Sequence, residues 1–237
     1  MKNSARLSSE ERRQAIVEAV KGLFARKGFD GTTTRELAEA AGVSEALLYR
    51  HFPSKESLYT AMLDDCAKGP GLIEYQRILA LEPSASTLVA MVHFLISYFA
   101  LGAFEHADKE AVNRLAVRSL LDDGEFVRVA HRKFTDAFID KFDKCLEAAA
   151  KAGELQENTV RGDLRGWFAH HLGFGLMLHL HPRVPAVDYK ASRKALVHHA
   201  VWFVLLGAGL KEKAIRRYYN PKAVALWDDA AVLKRWK

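Results

Sequence analysis

The residues from Thr33 to Lys55 include many side chains whose chemistry suits binding. Hydroxyl, phenol, imidazole and ammonium groups donate hydrogen bonds to phosphate oxygens, whereas arginine and carboxylate groups match the edges of DNA bases. The stretch contains all of these types: Thr33, Thr34, Arg35, Glu45, Tyr49, Arg50, His51 and Lys55. The sequence contains no G-x-S-x-G motif, phosphate-binding loop or H-E-x-x-H motif, which are signatures of several enzyme classes. These residue types therefore favour binding of DNA over catalysis.

Two short helices are predicted to position these side chains. Thr33 and Glu36 have the spacing of a capping box, and Gly42 closes the first helix. Ser44 caps the second helix, EALLYRHF, which Pro53 ends. Two short helices joined by a tight turn form a helix-turn-helix, whose second helix enters the major groove of DNA. The pattern thus predicts a DNA-reading helix directly after Ser44.

The place of each side chain in this motif indicates its contact. Glu45, Ala46 and Leu47 stand at the start of the second helix, where base edges would be met. Arg50 lies further along the same helix and is a candidate for base readout, although a phosphate contact is equally compatible with its position. Capped helix N-termini attract anions, and exposed donors nearby add to them. The residues expected at phosphates are Thr33, Thr34, Tyr49, His51 and Lys55.

The order GF-x-x-TT-x-R-x-LA-x-x-AGVS-x-x-x-LY-x-HF-x-SKE-x-L, from Gly28 to Leu58, resembles the DNA-binding domain of the TetR family of bacterial transcriptional regulators. With the preceding helix, the resemblance covers roughly residues 8 to 64. It implies a homodimer whose N-terminal domain holds operator DNA and whose C-terminal domain binds a small molecule that alters DNA affinity. It also implies a base-adjacent role for Arg35. Leu47 is larger than the Thr or Ala often found there, so it either touches a thymine methyl group or packs inward.

The rest of the chain has helical periodicity, and no strand pattern occurs between turn signals. Helices are predicted near 72–80, 85–104, 108–121, 124–152, 159–180 and 190–209, and Gly69-Pro70-Gly71 should break the helix that begins after Ser54. We therefore expect an all-α fold, with an N-terminal three-helix helix-turn-helix domain and a larger C-terminal helical domain for ligand binding and dimerisation. The expected division is 1–54 for DNA binding, 55–71 for a connecting helix, 72–210 for the larger domain and 211–237 for a basic tail.

An aromatic and aliphatic stripe near 159–180 is typical of a ligand pocket in a helical bundle, although such residues also build cores. The expected pocket residues, including three from other helices, are Phe99, Phe134, Phe138, Trp167, His171, Phe174 and Met177. Paired histidines occur at 170/171, 179/181 and 198/199, but adjacent residues on a helix point about 100° apart and cannot chelate together. No metal site or other cofactor is expected.

The helices near 159–180 and 190–209 are nearly free of charge over GWFAHHLGFGLMLHLHP and ALVHHAVWFVLLGAGL. Soluble proteins rarely expose so much apolar surface, so a partner is expected. The family resemblance makes that partner a second copy, joined through an isologous four-helix bundle. The helix from Ser54 to Gly71 would then pass a ligand-induced change to the DNA-binding domain.

Composition limits the remaining alternatives. The net charge of +6 divides into +2 over residues 1–60, −1 over 61–210 and +5 over 211–237, so a high pI alone is weak evidence for nucleic acid.

No Asp, Glu, Lys or Arg lies between Glu82 and Glu105, but this stretch contains His93 and lacks flanking cations, which favours a buried helix over a membrane span. The polar N-terminus lacks a secretory apolar region, so a cytoplasmic protein is expected.

The leading hypothesis is a DNA-binding transcriptional regulator, most simply a repressor released from its operator by a small-molecule effector. Two alternatives remain open at this point. One is an enzyme domain that carries a DNA-binding appendage, and the other is a helical scaffold whose basic tail binds acidic surfaces.

Overall fold

The structure is a computed structural model that describes residues 7–66, 70–101, 109–122, 124–157, 160–180, 182 and 184–220. The first helices are α1 (Ser9–Lys27), α2 (Thr34–Ala40), α3 (Glu45–His51), α4 (Lys55–Cys66), α5 (Pro70–Ala80) and α6 (Ala85–Ala100). They are followed by α7 (Lys109–Leu121), α8 (Glu125–Ala130), a π-helical turn (His131–Thr135), α9 (Asp136–Lys151), α10 (Gly162–Leu180), α11 (Arg193–Gly207) and α12 (Glu212–Tyr218). Within the described ranges the only β pairing is an isolated bridge between Leu155 and Leu210. The prediction of an all-α fold is confirmed.

The helix boundaries follow the expected capping signals closely. Ser8 accepts a hydrogen bond from the Glu11 amide and completes a capping box at the start of α1. The segment predicted as one helix over 124–152 is α8, the π-helical turn and α9 in succession. Helix α4 ends at Cys66 and α5 begins at Pro70, where proline fits because the first helical position needs no amide donor. Gly69, the first residue of the predicted break, lies with residues 67 and 68 outside the described residues. The basic tail beyond residue 220 and the segment 102–108 lie outside the described residues.

Close contacts divide the chain into two units. The N-terminal unit contains residues 1–68 and 106–133, and the C-terminal unit contains 69–105 and 134–237. This differs from the division expected from sequence, because α7 and α8 belong to the N-terminal unit. The reason is burial: Leu115 of α7 and Phe126 of α8 lie in the same apolar cluster as Phe24 of α1. Sequence periodicity indicates that a helix has an apolar face but does not identify what covers it.

The N-terminal unit has its core beneath α2 and α3. Leu37, Leu48 and Phe52 are fully buried there, as their spacing predicts. Tyr59 of α4 contributes an aromatic centre whose ring lies 4.9 Å from those of both Phe24 and Phe29. Such edge-to-face packing adds about 0.5–1.5 kcal/mol per pair beyond the burial of area. The two short helices are therefore held by tertiary packing and do not depend on their own length for stability.

A buried ion pair joins α1 to α4 within the N-terminal unit. The Lys21 ammonium lies 2.9 Å from a carboxylate oxygen of Asp65, and both side chains are largely buried. Gln14 donates a 2.6 Å hydrogen bond to the other Asp65 oxygen, and Glu18 lies 2.6 Å from the Lys21 ammonium. Because a buried charge is costly without a partner, this arrangement depends on both members.

The C-terminal unit is arranged around α6. Twelve residues of this helix are buried, and it packs against α5, α9, α10, α11 and α12. The charge-free stretch around His93 thus lies in a protein core, as expected. In the part of the chain that the structure describes, no helix combines the length and apolarity needed to cross a membrane.

Candidate nucleic-acid interface

The α2–turn–α3 segment has the capping predicted for a helix-turn-helix. The Thr33 hydroxyl accepts from the Glu36 amide, and the Ser44 hydroxyl accepts from the Leu47 amide. Gly42 takes a left-handed conformation with φ 63° in the turn, which a residue with a side chain rarely adopts. Both helix N-termini and the sharp turn between them are therefore specified by local sequence.

The outer face of α3 is open to solvent. Glu45, Ala46, Tyr49 and Arg50 are exposed, and the Tyr49 side chain keeps 46% of its surface accessible. Leu47 is half-buried, so it combines partial packing with a surface contribution. The structure thus brings the expected base-contact residues onto one accessible surface.

The hydroxyls at the start of α2 already have partners inside the protein. Thr33 Oγ1 donates to Glu36 at 3.0 Å, and Thr34 Oγ1 donates to Glu45 of α3 at 3.2 Å. Arg35 is exposed and donates at 3.0 Å to Glu39 one turn later on α2. Each of the three side chains therefore already donates a hydrogen bond within the protein.

Glu36 completes the N-terminal cap of α2. Its carboxylate pairs with the Lys27 ammonium and accepts from the Thr33 amide at 2.9 Å. The Lys27 side chain, followed by the Thr33 hydrogen bonds, lowers the pKa of Glu36 to about 2. The residue is thus ionised over the whole physiological range and serves the helix cap.

Lys55 has a role that local sequence does not reveal. Its ammonium donates to the carbonyl oxygens of Phe29 at 2.8 Å and Thr32 at 3.0 Å, and it lies 4.2 Å from the centre of the Phe29 ring. An ammonium has three donors, so two of them hold the turn between α1 and α2. The phosphate contact expected from the sequence would have to use the third donor.

His51, at the end of α3, is only partly accessible. Its Nε2 atom is buried and has no hydrogen-bond partner among the described residues. Its carbonyl oxygen accepts a 2.6 Å hydrogen bond from Arg13 of α1. Sequence reasoning missed Arg13 because it lies 38 residues earlier and outside the helix-turn-helix pattern.

In the C-terminal unit, four of the expected pocket residues form one aromatic cluster. The Phe99 ring lies 5.9 Å from that of Phe174, and Trp167 lies 5.9 Å from His171. His170, which belongs to the same stripe of α10, sits within the cluster 5.2 Å from Phe99. The i, i+3 and i, i+4 spacings along α10 are the signal that places these side chains together.

Phe134 and Phe138 lie in a second cluster around Tyr75, whose ring is 6.4 Å from each. Burial raises the pKa of Tyr75 to about 12, and its hydroxyl donates to the Phe134 carbonyl at 2.5 Å. Phe94 and Tyr98 of α6 link the two clusters through ring contacts of 6.5, 6.1 and 5.4 Å. Met177 is buried. The described residues include no group of three or more His, Cys, Asp or Glu side chains suited to a metal ion.

One face of α10 and α11 is apolar and exposed. Two of its exposed side chains are four residues apart on α10 and two are three residues apart on α11, spacings that place side chains on the same side of a helix. The large exposed side chains are Leu164, Phe168 and Leu178 on α10 and Phe203 and Leu206 on α11. Phe203 alone keeps 71% of its surface accessible. A methyl group added to Gly175 or Gly207 would meet no atom within 4 Å, so close approach of another helix is open there.

Comparison with known proteins adds four findings to this geometry, three from sequence and one from structure. The family model for bacterial regulatory proteins of the tetR family matches residues 16–62. The chain is 30% identical over 200 residues to the HTH-type transcriptional regulatory protein RaaS of Mycobacterium tuberculosis, covering 84% of each chain. It is also 43% identical over 169 residues to the nucleoid occlusion factor SlmA of Actinobacillus pleuropneumoniae, covering 70% of this chain and 78% of that one.

The fold is similar to that of AibR, which was solved in complex with isovaleryl coenzyme A and operator DNA. The TM-score is 0.57 at 21% identity, over 81% of this chain and 97% of AibR. The capped α2–turn–α3 segment, the exposed face of α3 and the relatives that match most of the chain agree with one another. The chain therefore belongs to the TetR family of bacterial transcriptional regulators and is a DNA-binding regulator of transcription.

Proposed function

We propose that the protein is a homodimeric repressor whose N-terminal unit holds operator DNA until a small-molecule effector binds its C-terminal unit. The observation that carries the DNA-binding half is the division of α3 into a buried side and an accessible side. Leu48 is buried, whereas Tyr49 and Arg50 beside it are exposed. A helix anchored from behind presents its outer side chains at low entropic cost.

The proposed contacts follow from these positions. Glu45, Ala46, Leu47 and Arg50 meet base edges, and Arg35 lies beside them. Phosphates are met by Thr33, Thr34, Tyr49, His51 and Lys55. Lys55 uses one donor for this while the other two keep the preceding turn in place.

The effector site is proposed among the linked aromatic clusters of the C-terminal unit. Clustered aromatic rings suit a largely apolar molecule with a small number of polar atoms. AibR, with a similar fold, was crystallised with an acyl-thioester ligand and DNA together. That likeness supports an organic effector as a class and leaves its identity to experiment.

Release from DNA is proposed to occur by a population shift. An effector that prefers the conformation with lower DNA affinity weakens operator binding by its differential binding free energy, typically about 1–3 kcal/mol. The segment from Ser54 to Gly71 links the units along the chain and is the proposed lever. If replacement of Gly69, Pro70 and Gly71 by alanine leaves effector-induced release unchanged, this lever assignment is wrong.

Dimerisation is proposed through the exposed apolar face of α10 and α11. Two copies related by a two-fold axis would cover Phe168 and Phe203 and place the two α3 helices about 34–36 Å apart. The Phe203→Asp variant should sediment as a monomer at concentrations where the wild type is dimeric. Leu121→Asp, which alters an equally exposed leucine of the N-terminal unit, should not change the sedimentation.

We infer that the protein acts by binding rather than by catalysis and works in the cytoplasm, where operator DNA is accessible. The decisive experiment selects duplexes from a random DNA library with the wild-type protein and measures affinity over a range of salt concentrations. A regulator should retain a preferred sequence and show a log–log slope of about −0.9 per neutralised phosphate. Arg50→Ala should weaken the preferred duplex, whereas Arg77→Ala, an exposed change on α5, should not. Failure to enrich any sequence would contradict the proposal.

A further inference from the structure

The C-terminal end of α3 is poorly supported by its own backbone. The helix has seven residues, too few for stability from propensity alone. The Phe52 amide donates a 2.9 Å hydrogen bond to the Leu48 carbonyl oxygen. The next residue is Pro53, which has no N–H group and so cannot donate to a carbonyl oxygen in the last turn of α3. The last carbonyls of any helix need partners from outside it.

Arg13 supplies one of these partners from α1. Its Nη1 atom donates to the His51 carbonyl at 2.6 Å, and its guanidinium carbon lies 4.1 Å from the centre of the Phe52 ring. Phe52 is almost completely buried, so the ring gives the guanidinium a fixed surface. A cation at a helix C-terminus also interacts favourably with the helix dipole.

The guanidinium makes both contacts because of its shape. It is planar, so it stacks on a ring and still directs N–H groups sideways to a carbonyl oxygen. Lysine preserves the charge but has no plane to stack, and methionine preserves only the length of the apolar stem. These differences make the position testable by substitution.

We propose that Arg13 is a positioning residue for sequence recognition: it fixes the end of α3 and thereby orients Arg50 and Tyr49 toward DNA. This inference rests on the role of α3 as the DNA-reading helix. Base contacts require fixed geometry, whereas phosphate attraction tolerates movement of a helix end. Loss of Arg13 should therefore reduce discrimination between sequences more than it reduces general affinity for DNA.

The test uses the full-length protein and two duplexes, one selected by the wild type and one with the same bases scrambled. Arg13→Met should weaken binding to the selected duplex by about 10-fold, roughly the worth of one good base contact. Binding to the scrambled duplex and the salt slopes should stay close to those of the wild type. The affinity of Arg13→Lys for the selected duplex should lie between those of Arg13→Met and the wild type. Arg26→Met, which removes an exposed charge from the same helix, should bind both duplexes as the wild type does.

Two results would overturn the proposal. An equal loss on both duplexes, with a salt slope reduced by about 0.9, would make Arg13 a phosphate contact itself. Unchanged affinity for the selected duplex would remove any role in recognition. The wild-type protein must first select a preferred sequence, and this selection tests the DNA-binding role. Failure of the Arg13 inference can therefore be told apart from failure of the DNA-binding role.

Hydrogen exchange provides a readout that does not depend on DNA. In Arg13→Met the Phe52 amide should exchange faster than in the wild type, while amides at the centre of α1 keep their protection. Should that variant fail to fold, Arg13→Lys is used for both measurements. Affinity loss without faster exchange at the end of α3 would contradict positioning as the cause.

Discussion

The Lys55 ammonium lies 2.8 Å from the carbonyl oxygen of Phe29 and 4.2 Å from the centre of the same residue's ring. One side chain of α4 thus closes the turn that leads into α2. The sequence pattern indicates a phosphate contact for Lys55, and the geometry adds a structural task. The two tasks predict different experimental effects.

Replacement of Lys55 by methionine should reduce both stability and DNA affinity. The loss of two hydrogen bonds from a charged donor should lower the free energy of unfolding by about 1.5–3 kcal/mol. Chemical denaturation measures this loss, and the salt slope of binding measures the phosphate contact separately. Arg26→Met is the control for loss of one positive charge. A normal stability with a reduced salt slope would restrict Lys55 to DNA contact.

The buried Lys21–Asp65 pair predicts a large cost for removing one partner. Lys21→Met removes the ammonium that lies 2.9 Å from the Asp65 carboxylate and should destabilise the protein by about 3–5 kcal/mol. The double variant Lys21→Met with Asp65→Leu should recover much of that loss, because no buried charge then remains. Urea denaturation of the four proteins in this cycle gives the coupling energy. Independent, additive effects would show that the pair contributes nothing specific.

Glu36 predicts a pH-dependent contribution to stability. Its pKa is lowered to about 2 in the folded protein, chiefly by Lys27, from an ordinary value of 4.5. A lowered carboxyl pKa stabilises the fold above the unfolded value and loses this effect as pH falls toward the folded value. The difference in unfolding free energy between wild type and Glu36→Gln should therefore be largest above about pH 5, fall as the pH is lowered and disappear only below about pH 2.

The same comparison in a Lys27→Met background tests the cause. Without the Lys27 ammonium, the effect of adding Glu36→Gln on the free energy of unfolding should shrink at neutral pH. Denaturation curves at several pH values supply the comparison in both backgrounds. An unchanged effect would assign the stabilisation to the Thr33 hydrogen bonds alone.

Gly173 predicts a steric effect in the aromatic cluster. A methyl group there would lie 2.7 Å from the Phe99 ring, so Gly173→Ala must displace that ring. The overpacking cost of about 1–3 kcal/mol should exceed the gain of up to about 1 kcal/mol in helix propensity. Near-ultraviolet circular dichroism should register the altered packing around Trp167, and thermal unfolding should register the loss of stability.

Gly175→Ala is the matched control, two residues further along α10 and with open space at the methyl position. It should stabilise the helix by about 0.5–1 kcal/mol. Because Gly175 lies on the proposed dimer face, both variants are compared in a Phe203→Asp background. Equal effects of the two alanines would mean that Phe99 moves without cost.

The helices and their caps could be predicted because their signals are local. Thr33 and Ser44 accept hydrogen bonds from residues three positions later, a distance that the sequence displays directly. The contacts of Arg13 and Lys55 span 38 and 26 residues, and no spacing rule connects their ends. Sequence reasoning can therefore predict the exposed face of α3, which follows from local spacing. It cannot predict the hydrogen bond from Arg13 of α1 to the end of α3, which joins distant parts of the chain.

The pocket residues illustrate the second limit of sequence reasoning. Trp167 and Phe174 share a helix, so their periodicity placed them in one cluster. Phe134 and Phe138 come from another part of the chain, and they pack instead around Tyr75. No spacing in the sequence connects Tyr75 with these two residues. Packing between helices depends on three-dimensional complementarity, which periodicity does not contain.

The discontinuous make-up of the N-terminal unit affects the order in which the protein can fold. Leu115 and Phe126 belong to its core, yet residues 69–105 of the other unit are synthesised before them. A growing chain that ends before α7 leaves the apolar surfaces of α1 and α4 without the cover that α7 and α8 provide. Closing a core across an intervening segment costs chain entropy and slows folding. Helix α3 thus gains its full support only after more than half of the chain has left the ribosome.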